Sequence, residues 1–564
     1  MKRQKMYEAR PFKTRNADEL NYAEILDYFV DPGKSISNPF EYENSIIKGK
    51  MGTGKTMYLK ANQAYYMYTL IPSLLDADSP IIPIYIKLSD FQSFSDPKII
   101  YKNIILKIIK EMCTSYEFLE RSSNLAMLHK GFLAIPDILI KGSDGLKAVL
   151  SEYKKLSSEE YIEKVSKETK MGIKGSKNIF EAFYEYFSHN EIELKNTPEP
   201  SISDIENAYN SLLKKKDGKL LILLDEAGSL NRTFFKSTDE SDSFFEILMN
   251  QLRTITYVRT KIAIYPQTYT DVLTETRYGD VINLQENIEE EAGFLVFKKR
   301  ITNILLKYCK EYLENKEGIE EIFLINIKEE DPIEQLINAS YGNMRRLLNL
   351  IDLSFKFTYE ENPKLKVTYN NVLRALENNA TNLESLFSEP EKQFLNSLAV
   401  SCRNRSTYKF TMPKFAPVLY KYLNRSSEYN VINIIESGIG RRSSLYGFDY
   451  AFCVKYQIPT HYIKKSERLD KNRSRITGEW ISRVATMSED ILRNAEIPGK
   501  IEGVIEFLKD GSGFIKADDE LSYFFQRDDF IESDRGKYIY KGMKVRIIAL
   551  KLEKYNYASN IECL

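Results

Sequence analysis

The segment that most constrains the fold of this chain is a glycine-containing octapeptide at residues 49–56, which reads GKMGTGKT. An apolar run at residues 44–48 precedes it, and a helical pattern follows from Lys55. The octapeptide fits the pattern GxxxxGK[ST], in which the glycines let backbone N–H groups turn towards a phosphate. A strand, a glycine loop and a helix N-terminus in this order form a phosphate site, because the helix end attracts anions. The sequence therefore predicts an α/β domain with a P-loop.

Each residue of this loop has a predicted role. Lys55 can reach the β- and γ-phosphate oxygens, and the hydroxyl of Thr56 can bind Mg²⁺. ATP and Mg²⁺ are therefore the expected cofactors. A glycine-rich turn without a ligand is the alternative interpretation. The predicted nucleotide-binding residues of the loop are Gly49, Gly52, Thr53, Gly54, Lys55 and Thr56.

Two acidic residues, Asp225 and Glu226, follow an apolar run at residues 220–224. At the exit of a strand in an open parallel sheet they face the ligand. Asp225 is expected to hold Mg²⁺ through water, and Glu226 to orient and deprotonate the attacking water. Taken alone, the pair also fits a solvated acidic turn. The tetrapeptide DEAG at 225–228 also resembles a helicase signature, but no QxxGRxGR-like arginine motif follows it.

Further apolar runs alternate with helical patterns along the chain, at residues 81–88, 261–265 and 280–284. This alternation predicts a parallel sheet covered on both faces, which is an α/β fold. The mostly helical, polar segment at residues 96–216 is too long for an ordinary crossover, and we interpret it as an insertion in the core.

Changes of composition predict five regions. The N-terminal fifteen residues carry six basic residues and one acidic residue, which suggests a flexible arm. Alternating short runs with Gly and Asp after Gly499 indicate an all-β domain. The predicted limits are 1–40 for the N-terminal arm and lead-in, 41–330 for the core with its insertion at about 96–216, 331–382 for a helical lid, 383–490 for a mixed α/β domain and 499–564 for the all-β domain.

Polar residues near the two ends of the core are candidates for sensing the nucleotide. Gln267 and Thr268 follow the strand at 261–265, where a γ-phosphate sensor or a simple turn fits. Arg345 lies in the first turn of a helix, where the helix dipole opposes a cation, so we expect a functional reason for it. It is predicted to reach the phosphates from the lid, and a surface ion pair is the alternative. Arg277 is a weak candidate for an arginine finger.

Four segments together resemble the origin-recognition-complex type of AAA+ ATPase over residues 20–380. In that family the segments are Walker A, Walker B, sensor 1 and sensor 2. The resemblance therefore implies catalytic roles for Lys55, Glu226 and Arg345, and Mg²⁺ binding by Thr56 and Asp225. Sensor 1 is usually Asn, and Pro266-Gln267-Thr268 departs from that pattern. The segments are NPFEYENSIIKGKMGTGKT at 38–56, LLILLDEAG at 220–228, IAIYPQT at 262–268 and SYGNMRRLLNLID at 340–352.

The same resemblance implies partners. Members of this family commonly bind DNA, often through a winged-helix domain after the lid, and many act as oligomers. Residues 383–490 occupy the winged-helix place, so a winged-helix-like domain is expected there. The implied partners are nucleic acid, DNA rather than RNA, and either copies of this chain or related ATPase subunits.

Three segments make up most of the C-terminal residues 500–564: KIEGVIEFLKDGSGFIKADD at 500–519, SYFFQRDDF at 522–530 and YKGMKVRIIALKLEKYNYASNIE at 540–562. Together they resemble a cold-shock domain, which is an OB-fold barrel. Such domains stack the bases of single-stranded nucleic acid on aromatic side chains. Phe514 and Phe524 stand where this surface is expected, with Phe507 as a third candidate. Glu506 and Ser512 occupy positions that are aromatic in the family, which leaves contact with a protein as the alternative function.

A basic segment lies between these two C-terminal regions, at residues 464–475, with six basic and two acidic residues. Contact with nucleic-acid phosphates and a merely solvated face both fit such a run. The predicted nucleic-acid contacts are Lys464, Lys465, Arg468, Lys471, Arg473 and Arg475.

Composition excludes several other classes of protein. The 80 Lys and Arg residues balance 80 Asp and Glu, which excludes a uniformly basic nucleic-acid packager. Five scattered cysteines and three histidines fit neither a disulfide framework nor a Cys or His metal site. No apolar run approaches the roughly 18 residues of a membrane span, and no apolar leader follows the basic N-terminus. We therefore expect a cytoplasmic protein without a membrane partner.

The residues together predict an ATP-hydrolysing switch that couples nucleotide state to the binding of nucleic acid. One alternative is a nucleotide-gated signalling or defence scaffold whose C-terminal half binds protein. The other is a regulator ATPase of the transposition type, which shares the same core resemblance.

Overall fold

The described part of the chain contains thirteen helices and fourteen strands, which are numbered here in chain order. The computed structural model describes residues 2–14, 16–20, 22–33, 38–70, 79–128, 202–230, 232–235, 243–265, 279–286, 288, 291–313, 318–325, 331–405, 407–412, 419, 422, 430–436, 444–458, 476, 484–487, 500–509, 511–531, 534, 536–551 and 556–564.

Five parallel strands form the central sheet, in the order β2-β3-β4-β1-β5. Both faces are covered, so the strands are apolar without alternation, and all residues of β3 after Lys219 are buried. The predicted parallel α/β sheet is confirmed, and each strand lies where an apolar run predicted one. The strands are β1 Ser45–Lys48, β2 Ile81–Lys87, β3 Lys219–Asp225, β4 Val258–Ile264 and β5 Asp280–Asn283.

Six helices belong to this sheet domain. The best defined start is that of α7, where Ser243 and Glu246 form a capping box. Helices α4 and α5 lie on either side of residues 129–201, so the middle of the predicted insertion falls outside the described residues. The helices are α2 Tyr22–Tyr28, α3 Lys55–Leu70, α4 Pro97–Leu128, α5 Ile202–Leu212, α6 Arg232–Phe235 and α7 Phe244–Thr254.

Four helices follow the sheet domain and form the lid. Asp331 and Thr368 cap two of them, and Asn343 caps the helix that reaches the phosphate loop. In the described ranges, no helix is long and apolar enough to cross a membrane. The lid helices are α8 Glu291–Cys309, α9 Pro332–Ser340, α10 Met344–Glu361 and α11 Tyr369–Glu384.

The first helix, α1 Lys2–Ala9, packs on the lid. Tyr7 and Phe12 are buried, and both rings contact Phe355 of α10 edge-on. Arg10 forms an ion pair of 2.6 Å with the buried Asp352. The predicted flexible arm is therefore wrong for these residues, because aromatic side chains anchor the basic segment.

The lid shares one hydrophobic core with a second sheet, whose order is β7-β8-β6-β9. The sequence predicted a mixed α/β domain at residues 383–490 without placing these four strands. β6 and β9 have three and two residues, which is too short to leave a period-two pattern. The elements are α12 Glu389–Asn404, β6 Lys409–Thr411, β7 Ile432–Glu436, β8 Leu445–Phe448, α13 Tyr450–Lys455 and β9 Ala485–Thr486.

The C-terminal strands close a barrel in the order β10-β11-β12-β14-β13. Inward positions such as Ile515, Tyr523 and Phe525 are fully buried and form a separate core. Gly513 has to be glycine, because a Cβ there would lie 2.1 Å from the carbonyl oxygen of Phe507. The predicted small all-β region is confirmed as a five-stranded barrel. The strands are β10 Lys500–Lys509, β11 Ser512–Ala517, β12 Ser522–Gln526, β13 Lys544–Lys551 and β14 Asn556–Cys563.

Candidate nucleotide site

The candidate site lies where three parallel strands end. β1 leads into the glycine loop, β3 ends at Asp225, and Tyr265 follows β4. Because β1 and β3 both pair with β4 in parallel, their carboxyl ends meet at one edge of the sheet. A cleft opens there, with a cavity volume of about 140 Å³. It is closed on its other side by α8 and α10 of the lid.

The glycine loop has the backbone of a phosphate cradle. Gly52 and Gly54 adopt φ angles of +78° and +96°, which side chains with a Cβ rarely tolerate. Thr53 folds its hydroxyl back onto the carbonyl oxygen of Lys50 at 2.9 Å, and a Cβ on Gly49 would collide with that hydroxyl. The loop runs directly into the sixteen-residue helix α3, whose N-terminus favours anions.

Lys55 is buried in the wall of the cleft. Its Nζ donates to the carbonyl oxygens of Gly49 and Lys50, each at 2.8 Å, and lies 4.2 Å from the centre of the Tyr265 ring. Burial lowers the pKa of this lysine to about 8, and the charge of Arg345 acts in the same direction. Within the described residues, no carboxylate accepts a hydrogen bond from Lys55. An anionic phosphate would therefore be a stronger acceptor for its ammonium group than the two neutral carbonyl oxygens.

Asp225 and Thr56 form the acidic side of the site. The buried Asp225 carboxylate accepts hydrogen bonds from the Tyr85 hydroxyl and the Glu226 N–H, both at 2.8 Å, and one from the Thr56 hydroxyl. Burial raises its pKa in spite of these donors. Carboxylate and hydroxyl oxygens are hard ligands of the kind Mg²⁺ uses together with phosphate and water. The residues present therefore fit the predicted metal.

Glu226 has a left-handed backbone with φ +56° and ψ +36°. Such a conformation costs a non-glycine residue on the order of 1–3 kcal/mol, and it is common at functional sites. The Glu226 carboxylate lies 3.5 Å from Lys87 Nζ, which also binds Asp18 at 2.7 Å. Asp18 in turn pairs with Lys60 at 2.6 Å. The strand β2 and the N-terminal segment thus set the charge around Glu226.

The lid contacts the phosphate loop through the start of α10. The Met344 N–H donates to the carbonyl oxygen of Gly52 at 2.7 Å, and the Asn343 side chain donates to Met51 at 3.3 Å. A Cβ on Gly52 would lie 2.3 Å from the Asn343 side-chain oxygen. Arg345, in the first turn of this helix, lines the cleft. The structure therefore brings Arg345 to the same cleft as Lys55 and Glu226.

The other end of the cleft is apolar and aromatic. Tyr28 and Tyr308 stack with ring centres 4.0 Å apart. This end suits a base and a sugar, because ligand pockets are mostly apolar with a few polar groups. Its side chains include Tyr28, Phe29, Val30, Ile304, Tyr308 and Leu348.

The sequence analysis did not identify three polar residues of the site: Arg300, which lines the cleft, and Tyr85 and Lys87, which contact Asp225 and Glu226. Tyr85 and Lys87 lie two positions apart near the end of β2. Residues two apart on a strand point to the same face, so this spacing in a predicted strand could have indicated that both lie near the site. Arg300 lies in the middle of α8 and had no such signal. All three side chains reach the site through contacts between elements that lie far apart in the sequence.

Several predicted residues lie outside the described residues. These are Pro266, Gln267, Thr268, Arg277 and the six basic residues Lys464, Lys465, Arg468, Lys471, Arg473 and Arg475. Their roles stay predictions.

Phe514 and Phe524 lie on the barrel, opposite each other in register, with ring centres 5.6 Å apart. Phe507 pairs with Phe514 from the neighbouring strand. Phe507 and Phe514 are 51% and 43% exposed, so these rings form an outward face and not a core. Phe507 and Phe514 are therefore available to a partner, while Phe524 beside them is half-buried and packs against Ile548 and Tyr557.

The fold and the site together are those of an α/β domain with a P-loop. Residues 10–237, which contain the phosphate loop and Asp225, match the family model described as ORC-CDC6-like. This part of the chain is therefore similar to that family, and the predicted resemblance is confirmed for it. No curated protein matches the sequence.

Three solved structures are similar to the chain at low identity. Cdc6p from Pyrobaculum aerophilum is 14% identical, covering 82% of this chain and 96% of that one with a TM-score of 0.28. ORC2 from Aeropyrum pernix, solved as ADPNP and ADP complexes, is 11% identical over 83% and 96%, with a TM-score of 0.31. The RuvB Holliday junction branch migration motor from Thermotoga maritima is 10% identical over 69% and 79%, with a TM-score of 0.25. At these TM-scores the likenesses carry no argument.

Proposed function

We propose that this protein is an ATP-binding and ATP-hydrolysing switch that couples its nucleotide state to the binding of nucleic acid. The observation that carries the proposal is the position of α10. Its first residues contact the phosphate loop, Arg345 lines the cleft, and the next residue, Arg346, binds the domain that follows the lid. One helix therefore connects a triphosphate site to the C-terminal half.

The residues of the cleft divide the chemistry among them. The loop amides and Lys55 hold the phosphates, and Arg345 approaches them from the lid. Thr56 and Asp225 would hold Mg²⁺, which neutralises charge on the phosphate oxygens when bound. Glu226 orients the attacking water and accepts its proton, and Lys87 positions the Glu226 carboxylate.

Arg346 supplies the mechanical link. Its guanidinium is fully buried and forms two hydrogen bonds with Asp449, at 2.5 and 2.8 Å. Asp449 caps α13, which lies next to strand β8 of the second sheet. A shift of α10 on nucleotide binding or hydrolysis would therefore move Asp449 and the sheet with it, because a buried bidentate pair resists separation.

Two surfaces support nucleic acid as the partner. The three phenylalanines of the barrel match the way single-stranded nucleic acid stacks on aromatic rings, at about 1–3 kcal/mol per base. In the second sheet, β6 pairs with β8 and β8 with β7, an order that fits the proposed winged-helix-like domain. We propose DNA as the partner, and an assembly of several ATPase subunits as the active form.

The proposed chemistry predicts distinct effects for two substitutions. Lys55→Ala should abolish binding of MgATP, because it removes the cation that holds the terminal phosphates. Glu226→Gln should bind MgATP normally but lower turnover by about 10²–10⁴-fold, since it removes the general base. Calorimetric titration with MgATP and a phosphate-release assay measure the two effects.

Lys50→Ala is the matched control, because Lys50 belongs to the same loop but is exposed. It should leave affinity and turnover near those of the unaltered protein. Equal turnover by Glu226→Gln and the unaltered protein contradicts the assignment of the base. Absence of Mg²⁺-dependent nucleotide binding in the unaltered protein contradicts the proposed function as a whole.

A further inference from the structure

Arg300 is a half-buried arginine, and two of its three guanidinium nitrogens are buried without a hydrogen-bond partner. Its Nε and Nη1 atoms are inaccessible to solvent and make no hydrogen bond. Burial lowers its pKa, while the charges of Glu286 and Asp31 oppose that effect without hydrogen bonding to these two atoms. A buried cation left in this state destabilises a protein by several kcal/mol in general. Arg300 therefore lowers the stability of the folded protein, and its packing gives no reason for an arginine at this position.

The position of Arg300 indicates what its partner is. Its Nη2 lies 3.6 Å from the point where a Cβ on Gly54 would stand, so the guanidinium is in contact range of the phosphate loop. Arg300 also lines the cleft. A guanidinium beside a loop that binds phosphates is suited to an anionic oxygen, with which it forms strong charge-assisted hydrogen bonds.

The helix that carries Arg300 also indicates which phosphate it contacts. Ile304 and Tyr308 follow at intervals of four residues, so all three side chains lie on one face of α8 and line the cleft. This face runs from the phosphate loop to the apolar end, over about 12 Å for eight residues. Arg345, Thr56 and Asp225 line the same cleft and would surround the terminal phosphate of a bound nucleotide. Arg300 would then lie between that phosphate and the base.

We propose that Arg300 is a nucleotide-binding residue that contacts the phosphate next to the sugar, which ATP and ADP share. The inference rests on the proposed nucleotide site and deepens it. It gives the lid two arginines with different tasks. Arg300 holds any adenine nucleotide, whereas Arg345 distinguishes the triphosphate from the diphosphate.

The test compares three ligands and three substitutions in the full chain. Arg300→Met should weaken MgATP and ADP by the same factor, about 10–100-fold, which is the usual effect of losing a charged hydrogen bond. Adenosine, which has no phosphate, should bind as it does to the unaltered protein. Arg300→Lys should lose less than Arg300→Met, because it keeps the charge without the planar fork. Lys299→Met, an exposed neighbour on the same helix, should change nothing.

Thermal unfolding without nucleotide separates binding from packing. Because Arg300 lacks partners, Arg300→Met should unfold at the same temperature as the unaltered protein or at a higher one. The proposal is overturned by unchanged affinities in Arg300→Met, by a loss confined to MgATP, or by an equal loss for adenosine with a lower unfolding temperature. If the unaltered protein binds neither MgATP nor ADP, the proposed function fails first, and this inference with it.

Discussion

Lys261 is a charged residue inside the central strand β4, with only 1% of its surface exposed. Its Nζ donates to the carbonyl oxygen of Pro39 at 2.8 Å and to the Asn62 side chain at 2.9 Å. These two hydrogen bonds connect β4 to the segment before the phosphate loop and to helix α3, which follows the loop. A single buried amine thus fixes the base of the nucleotide site.

Lys261 should make stability depend on pH in a defined window. Burial lowers its pKa from 10.5 to about 8. Between these values the unfolded chain binds more protons than the folded one, so the free energy of unfolding rises with pH, by up to about 1.4 kcal/mol per unit. Urea unfolding at pH 7 and pH 9 should show this gain, and Lys261→Met should show a smaller one, because Lys55, whose pKa is also lowered to about 8, still contributes.

Lys215→Met is the control for this pH effect, because Lys215 is exposed shortly before β3. It should keep the pH dependence of the unaltered protein. If Lys261→Met gains as much stability as the unaltered protein between the two pH values, the amine of Lys261 titrates normally and the assignment is wrong.

At the scale of residues, the sequence predicted the local motif and missed the long-range partners. Lys55, Thr56, Asp225 and Glu226 follow strands directly, so a one-dimensional pattern was enough to bring them to one edge of a sheet. Arg300 is a polar residue in a helix, and nothing in its neighbourhood indicates that the helix face points into a cleft. Its place depends on how the lid packs, which no short pattern encodes.

Helix α10 is the element on which the proposed coupling between the halves depends. Arg346→Met leaves Asp449 buried without its cation and should destabilise the protein by about 3–5 kcal/mol. Adding Asp449→Asn should restore part of the loss, because the double variant has no unpaired charge. Urea unfolding of the two single variants and the double variant measures the interaction energy.

The same variants test the switch. The double variant should bind MgATP like the unaltered protein, yet its affinity for an oligonucleotide should no longer differ between MgATP and ADP. Lys356→Met, in an exposed ion pair on the same helix, should leave both properties intact. A nucleotide effect that persists in the double variant shows that coupling takes another route.

At the scale of elements, the sequence predicted the positions of the parallel strands better than it predicted how the helices pack. The parallel strands are apolar on both faces, so their runs stood out. The first helix was misjudged because its charge suggested solvent, whereas its contacts are made by Tyr7 and Phe12 with a helix more than 300 residues away. Short strands such as β6 and β9 were missed because two or three residues carry no periodicity.

The whole molecule has three main hydrophobic cores among its described residues: the sheet domain, the lid with the second sheet, and the barrel. The barrel core is the smallest, and its outward phenylalanines do not contribute to it. A substitution on that face should therefore affect binding without affecting folding.

Phe514→Ala should weaken binding of single-stranded oligonucleotides by about 5- to 150-fold, since one stacked base contributes about 1–3 kcal/mol. Phe94→Ala, another partly exposed phenylalanine, lies in the sheet domain and should have no effect. Affinity should also fall with salt, because phosphate contacts release counterions. A slope near zero together with full affinity in Phe514→Ala favours the scaffold that binds protein.

The packing of the first helix on the lid has a consequence for the order in which the chain folds during synthesis. The Tyr7 hydroxyl donates to the carbonyl oxygen of Leu365, 358 positions later in the chain. At about 5–20 residues per second, a ribosome makes Leu365 some 20–70 s after Tyr7. During that interval Met6, Tyr7 and Phe12 cannot pack against the lid residues that bury them in the folded protein. This segment therefore leaves the ribosome long before its packing partners and reaches its final place only after the lid has been made.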